Sequence, residues 1–338
     1  MLPVIFGLAG TTLTASEAAL FAAVRPAGYI LFRRNVENPA QLRALTDSLR
    51  ALGKDARLPI LVDQEGGRVQ RLGPPHWAEY PPAAVFGAAW DKAPVTAMAA
   101  ARANAQSLGL LLSDMGINVD CLPLLDVKVD GMHEVIGDRS YGADANQVAS
   151  LGRATLDGLR AGGTVGVIKH IPGHGRARAD SHKELPTVDA SAEELEQDLG
   201  PFRQLADAPM AMTAHILYPA WDSAFCASQS PRIIADIIRG RCGFENLLLS
   251  DDLGMEALGQ QPGGDSMAGR ARAVLDAGCD IALHCSGDFA EMRAIADAIA
   301  PASPAVVERL ARAMAWPSAP SGDAATLAAE RDFLLAAA

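Results

Sequence analysis

The chain has 338 residues, a formal net charge of −11, and a composition that is 49% apolar but only 5% aromatic. That length suits one large α/β unit or two ordinary domains, and an apolar half rich in Ala, Leu and Val suits helices packed on buried strands. The acidic balance, without any Lys/Arg run, argues against a nucleic-acid partner, and five cysteines without a CxxC pair argue against disulfides or thiolate zinc.

The opening MLPVIFGLAG is apolar but too short to span a bilayer, and it lacks a basic n-region and a plausible signal-peptidase site, so no membrane association and a cytoplasmic location are expected. Its PVIFG is the first of eight short apolar runs. GYILF follows near Gly28, PILVD ends at Asp63, INVDCLPL at Leu124, TVGVIKH at His170, PMAMTAH at His215, NLLLSD at Asp251 and DIALH at His284. Helical, Ala/Leu-rich patterns lie between them, at Ser16 to Val24, Pro39 to Leu52, Thr96 to Met115, Ala145 to Ala161, Ala192 to Leu205, Pro231 to Arg239, Met267 to Ala277 and Asp288 to Ile299. Eight βα repeats, with no GxGxxG after the first run, predict a closed (β/α)8 TIM-type barrel as a single domain over residues 1–316. PSAPSG then reads as a linker and the Ala/Leu-rich end as a terminal helix within 317–338, packed on the barrel or trailing it.

In such barrels chemistry gathers at the C-terminal ends of the strands. Here those ends carry Asp63, Asp126, His170, His215, Asp251 with Asp252, and His284.

KHIPGHGRARADSH, from Lys169 to His182, holds three of the seven histidines. Pro172 and Gly173 break any helix, so His170 and His174 do not share a helical face as an HxxxH metal pair would. A metal site assembled in space from His170, His174, His182, His215 and a carboxylate stays open. Asp180 and His182, two apart in a polar segment, project to one side of an extended chain. The carboxylate could then orient the imidazole as an acid-base unit, against the alternative of a solvated loop. LLLSDDLGM delivers two adjacent carboxylates to a strand end, where Asp252 is expected to cap the following helix and Asp251 to face a substrate. LVDQEGGRVQR puts Asp63 before a double-glycine turn, with Arg68 and Arg71 in reach of carboxylates or hydroxyls. IGDRSYG adds Arg139 on another polar loop, with a salt bridge as the plain alternative.

Together, ILFRRN, DQEGGRVQR, GDRSYG, KHIPGHG, ADSH, TAHILYP, SDDLGM and LDAGCDIAL resemble, in order and across most of the barrel, the β-N-acetylglucosaminidase group of glycoside hydrolase family 3. Ile171 stands where many members have an aromatic residue and Gly254 where Ser is common. The resemblance implies Asp251 as nucleophile, His182 as general acid-base with Asp180 as dyad partner, and Asp63, Arg71, Arg139, Lys169 and His170 as sugar-binding residues. It further implies a retaining exo-enzyme that removes terminal GlcNAc from GlcNAc-β-1,4-1,6-anhydro-MurNAc, with or without its peptide, in cytoplasmic peptidoglycan recycling. Neither metal nor organic cofactor is implied, the partner is a small carbohydrate, and a monomer is expected. Two alternatives remain: a phosphorylase of the same family, since a histidine acid-base does not repel phosphate, and a metal-dependent barrel hydrolase.

Overall fold

The computed structural model describes residues 1–131 and 133–338. Its barrel strands are β1 (Leu2–Gly7), β2 (Pro26–Leu31), β3 (Ile60–Val62), β6 (Val119–Asp120), β7 (Val165–Ile171), β8 (Met210–Thr213), β9 (Leu247–Asp252) and β10 (Ile281–His284), with β4 (Gln64–Gly66) and β5 (Val69–Gln70) forming a separate hairpin. The eight barrel strands pair in parallel around a closed ring, and β10 returns to β1. Helices fill the connections, as a parallel sheet buried on both faces requires. This is the (β/α)8 barrel expected from the repeat pattern.

Strand alternation divides the core into two layers. Ile5, Ile30, Leu61, Val119, Val165, Val167, Met210, Met212, Leu247, Leu249, Ile281 and Leu283 pack together inside the barrel. Their neighbours Val4, Phe6, Leu31, Ile60, Ile168, Ala211, Leu248 and Ala282 face the surrounding helices. Continuing the inward parity one step toward the strand ends gives Asp63, Lys169, Asp251 and Cys285. The polar layer of the site is therefore the next storey of the barrel interior.

Three features depart from the sequence reading. The segment after Asp63 forms the β4/β5 hairpin, turned by Gly66 and Gly67 at φ of 95° and 57°, a region that side chains disfavour. Helices Ala83–Trp90 and Pro304–Met314 are additional, and the helix expected at Pro231 to Arg239 is a π-helix over Ile233–Arg241. Finally, Asp252 caps no helix: its Oδ1 accepts from the backbone N–H of Gly254 at 3.0 Å and Cys285 at 3.1 Å, and the helix that follows, Met267–Ala277, is capped by Ser266. The turn after β9 leaves the Gly254 N–H free and the end of neighbouring β10 leaves that of Cys285 free, and the Asp252 carboxylate between them satisfies both.

The C-terminal helix Ala324–Ala337 lies against helix Pro94–Asp114, where Arg331 donates to the Asn104 side chain at 3.0 Å and the Ser107 hydroxyl donates to the Ala324 carbonyl at 2.7 Å. No described helix is long and apolar enough to cross a membrane.

Candidate active site

At the C-terminal mouth of the barrel lies a cavity of about 240 Å³. Of the residues to which the family resemblance gave a role, Asp63, Arg71, Arg139, Lys169, His170, His182 and Asp251 line it and Asp180 stands behind His182, whereas Asp126, His215 and His284, also at strand ends, do not reach it. Phe32, Met212, Met255 and Cys285 supply apolar surface between them.

The floor is a buried lattice of compensated charge. Lys169, whose side chain is 2% exposed, donates to Asp63 Oδ1 at 3.1 Å and to Glu65 Oε1 at 2.7 Å. Asp63 Oδ2 accepts from Arg71 at 3.0 Å, while Arg139 grips Glu65 with two bonds of 2.7 and 2.8 Å. Burial alone would raise both carboxyl pKa values, but Lys169 with Arg71 or Arg139 outweighs it and holds both below the usual carboxylate range. Lys169 is in turn raised, because its two carboxylates overcome the cost of desolvating the ammonium. The hairpin makes this possible: the Gln64 side chain accepts from the backbone N–H of Arg71 and Leu72 at 2.8 and 3.0 Å, which folds Arg71 back over Asp63. Glu65 was not singled out from the sequence, although it sits between Asp63 and the double glycine.

A second buried carboxylate, Asp126, organises the end of β7. Its Oδ2 meets His170 Nδ1 at 2.8 Å, and its Oδ1 accepts from the backbone N–H of His170 at 3.2 Å and His174 at 2.7 Å. Burial pushes Asp126 up, but these histidines dominate and hold it at about 2. Strand β7 shifts register after Lys169, and both Lys169 and His170 reach the cavity.

Asp251 is the inward-facing end of β9. Burial opposes its ionisation, yet His170 and His215 overcome that penalty and lower its pKa, so the carboxylate is charged at neutral pH. His215 sits behind it, with Nε2 3.0 Å from the Asp252 carbonyl and Nδ1 2.7 Å from the Ser228 hydroxyl. A carbonyl only accepts, so Nε2 carries the proton and Ser228 donates to Nδ1. His284 is turned away, bonded to Glu291 at 2.8 Å and Ser286 at 3.0 Å.

Opposite this rigid floor, the connection after β7 runs from Pro172 to Ser191 without regular helix or strand before the next helix, Ala192–Gln204. At its base Gly175 passes so close to the backbone of Val127 that a Cβ would meet the Val127 carbonyl oxygen at 1.7 Å. Near its tip Asp180 Oδ1 accepts from His182 Nδ1 at 2.9 Å and from the His182 backbone N–H at 3.0 Å. These bonds outweigh slight burial and lower the Asp180 pKa. The carboxylate fixes the tautomer, leaving His182 Nε2 as the position where a proton comes and goes. The His182 side chain is 63% exposed.

Among the described residues no group of three or more His, Cys, Asp or Glu is arranged to hold a metal ion, and the five cysteines are free and buried.

A barrel mouth that brings together an ionised strand-end carboxylate, a carboxylate-paired imidazole and a floor of ion pairs has the groups that glycoside hydrolysis calls for. The chain belongs to glycosyl hydrolase family 3: residues 8–314 match the family's N-terminal domain. It is 39% identical over 329 residues to a β-hexosaminidase of Bordetella avium, covering 95% of this chain and 90% of that one. A β-hexosaminidase of Chromobacterium violaceum is 41% identical over 313 residues, covering 92% and 86%. Among solved structures, NagZ from Neisseria gonorrhoeae in complex with N-trifluoroacetyl-D-glucosamine superposes with a TM-score of 0.87 at 33% identity, covering 99% of this chain and 97% of that one.

Proposed function

We propose that this glycoside hydrolase is a retaining exo-β-N-acetylglucosaminidase, with Asp251 as nucleophile and His182, oriented by Asp180, as general acid and base. The observation that carries the reading is that Asp251 and His182 line one small cavity, one from a rigid strand and the other from an irregular loop. Asp251 attacks the anomeric carbon as the glycosidic C–O bond breaks, and His182 Nε2–H gives its proton to the departing oxygen. The freed Nε2 then takes a proton from water, whose oxygen attacks the anomeric carbon and releases Asp251. Asp63, Arg71, Arg139, Lys169 and His170 bind the sugar, with Lys169 and Arg139 acting from within their ion pairs.

A cavity closed below by the barrel core accommodates a terminal sugar, which supports exo action. The likeness to the β-hexosaminidases and to a glucosamine-derivative complex supports GlcNAc as that sugar. The leaving portion on this reading is 1,6-anhydro-MurNAc, with or without peptide, and the place of action is the cytoplasm during wall recycling.

The test is hydrolysis of p-nitrophenyl β-N-acetylglucosaminide with and without EDTA. Wild type should be indifferent to the chelator and give the β-anomer first by NMR, and Asp251→Asn should lose at least ~10³-fold in turnover. Full turnover by Asp251→Asn, or dependence on added metal, would overturn the mechanism. A phosphorylase reading is favoured by one observation, an imidazole where a carboxylate would repel phosphate. It predicts a sugar phosphate among the products when phosphate is present.

A further inference from the structure

Between Asp180 and His182 sits Ser181, which is 2% exposed although His182 is open to solvent. Its hydroxyl lies 3.4 Å from His174 Nε2, and its carbonyl accepts from the backbone N–H of Ala257 at 3.2 Å. The two partners belong to different parts of the site. His174 is fixed by its backbone N–H to Asp126, the carboxylate that also holds His170. Ala257 follows the strand that ends in Asp251 and Asp252. Ser181 is thus the point where the loop touches both the sugar-binding floor and the connection after the nucleophile.

We propose that His174 and Ser181 form a latch that seats the Asp180–His182 pair over Asp251, making both positioning residues for proton transfer. His174 lines the cavity, is almost wholly buried with its ring edge-on to His170, and among the described residues its Nδ1 has no hydrogen-bond partner, so the Ser181 contact is the one hydrogen bond its ring makes there. Burial and the neighbouring His170 keep it neutral, with a pKa pushed down to about 4. A neutral imidazole meets the hydroxyl without burying a charge at the contact. The bond is long and unassisted by charge, so it yields when substrate enters or product leaves. Because Ser181 is covalently between the dyad's two members, lifting it from its seat carries Asp180 and His182 away together.

The latch rests on the reading of His182 as the proton carrier, and leaving-group dependence separates the two claims. Phenyl β-N-acetylglucosaminide needs a proton on its departing oxygen, whereas the 2,4-dinitrophenyl analogue leaves without one. Ser181→Ala and His174→Asn should each lower kcat/KM about tenfold on the phenyl substrate and less than about twofold on the dinitrophenyl substrate. The double variant should be no slower than either single one, since both remove one interaction. Ser181→Thr, which keeps the hydroxyl, should restore the phenyl rate. Equal losses on both substrates, additive losses, or no loss overturn the latch. With His182→Ala measured alongside, selective slowing there but not in Ser181→Ala removes the latch alone. Absence of selectivity in His182→Ala removes the acid-base assignment beneath it.

Discussion

The floor and the loop of this cavity handle charge in opposite ways. On the floor, Lys169, Asp63, Glu65, Arg71 and Arg139 satisfy one another out of water before any substrate arrives. On the loop, exposed His182 is held by half-buried Asp180, and buried Ser181 between them reaches His174 and the backbone N–H of Ala257. Groups that bind gain from being fixed and prepaid in desolvation, because they spend no reorganisation on the sugar. A group that must give up a proton and take another gains from contact with water and from freedom to move.

The sharpest way to break this contrast is to unbalance the floor. Lys169→Met leaves two buried carboxylates without their shared cation and should lower stability by about 3–5 kcal/mol in urea unfolding, besides abolishing sugar binding. A loss below about 1 kcal/mol would mean that the floor is hydrated and loosely held. On the loop, His182→Ala should cost ~10²-fold or more in kcat/KM on the phenyl glycoside while changing stability by less than about 0.5 kcal/mol, as befits an exposed side chain.

Between the two regions stands His174, and pH measures which one it belongs to. Its folded pKa of about 4 is depressed by burial and by His170, whereas an unfolded histidine titrates near 6.5. Below pH 6.5 the unfolded chain binds a proton that the folded one refuses. The stability His174 contributes is therefore complete above 6.5 and lost as pH falls toward 4, by up to about 3 kcal/mol. His174→Asn lacks that loss, so the stability gap between wild type and variant should narrow from pH 7 to pH 4. Asp198, raised to about 6 by burial, is common to both proteins and cancels in the difference. A gap independent of pH would show that His174 is accessible to protons in the folded state. The smallest effect should come from Asp180→Asn. It keeps a hydrogen-bond acceptor for His182 Nδ1 but removes the charge, and should slow the phenyl substrate roughly tenfold. No change would assign the orientation of His182 to Ser181 alone.

The barrel was legible because most strands are short apolar runs, separated by longer Ala/Leu-rich helical segments. Residues at the strand ends were legible for the same reason: a carboxylate or histidine closing an apolar run has no place in the core layer below. What stayed hidden depended on contacts across the chain. Glu65 reads as part of a turn until Lys169, over a hundred positions later, is seen against it. Asp126 was placed at a strand end but given no task, because its partners His170 and His174 lie beyond an intervening helix. Asp252 was expected to cap a helix that begins only at Met267, and local sequence did not show that the chain first makes a tight turn. Ser181 carried no signal at all, since a serine in a polar loop is ordinary until its burial is known.

The ring of strands has a consequence for how the chain matures. Phe6 of the first strand sits in register with His284 of the last, so the sheet closes only after nearly the whole barrel has left the ribosome. Until then β1 and β9 each present an unpaired parallel edge, and a nascent chain with open edges is at its most prone to association with other chains. The Asp251 end of β9 lies beside the seam that β10 fills, so that carboxylate gains its final surroundings only once β10 is in place.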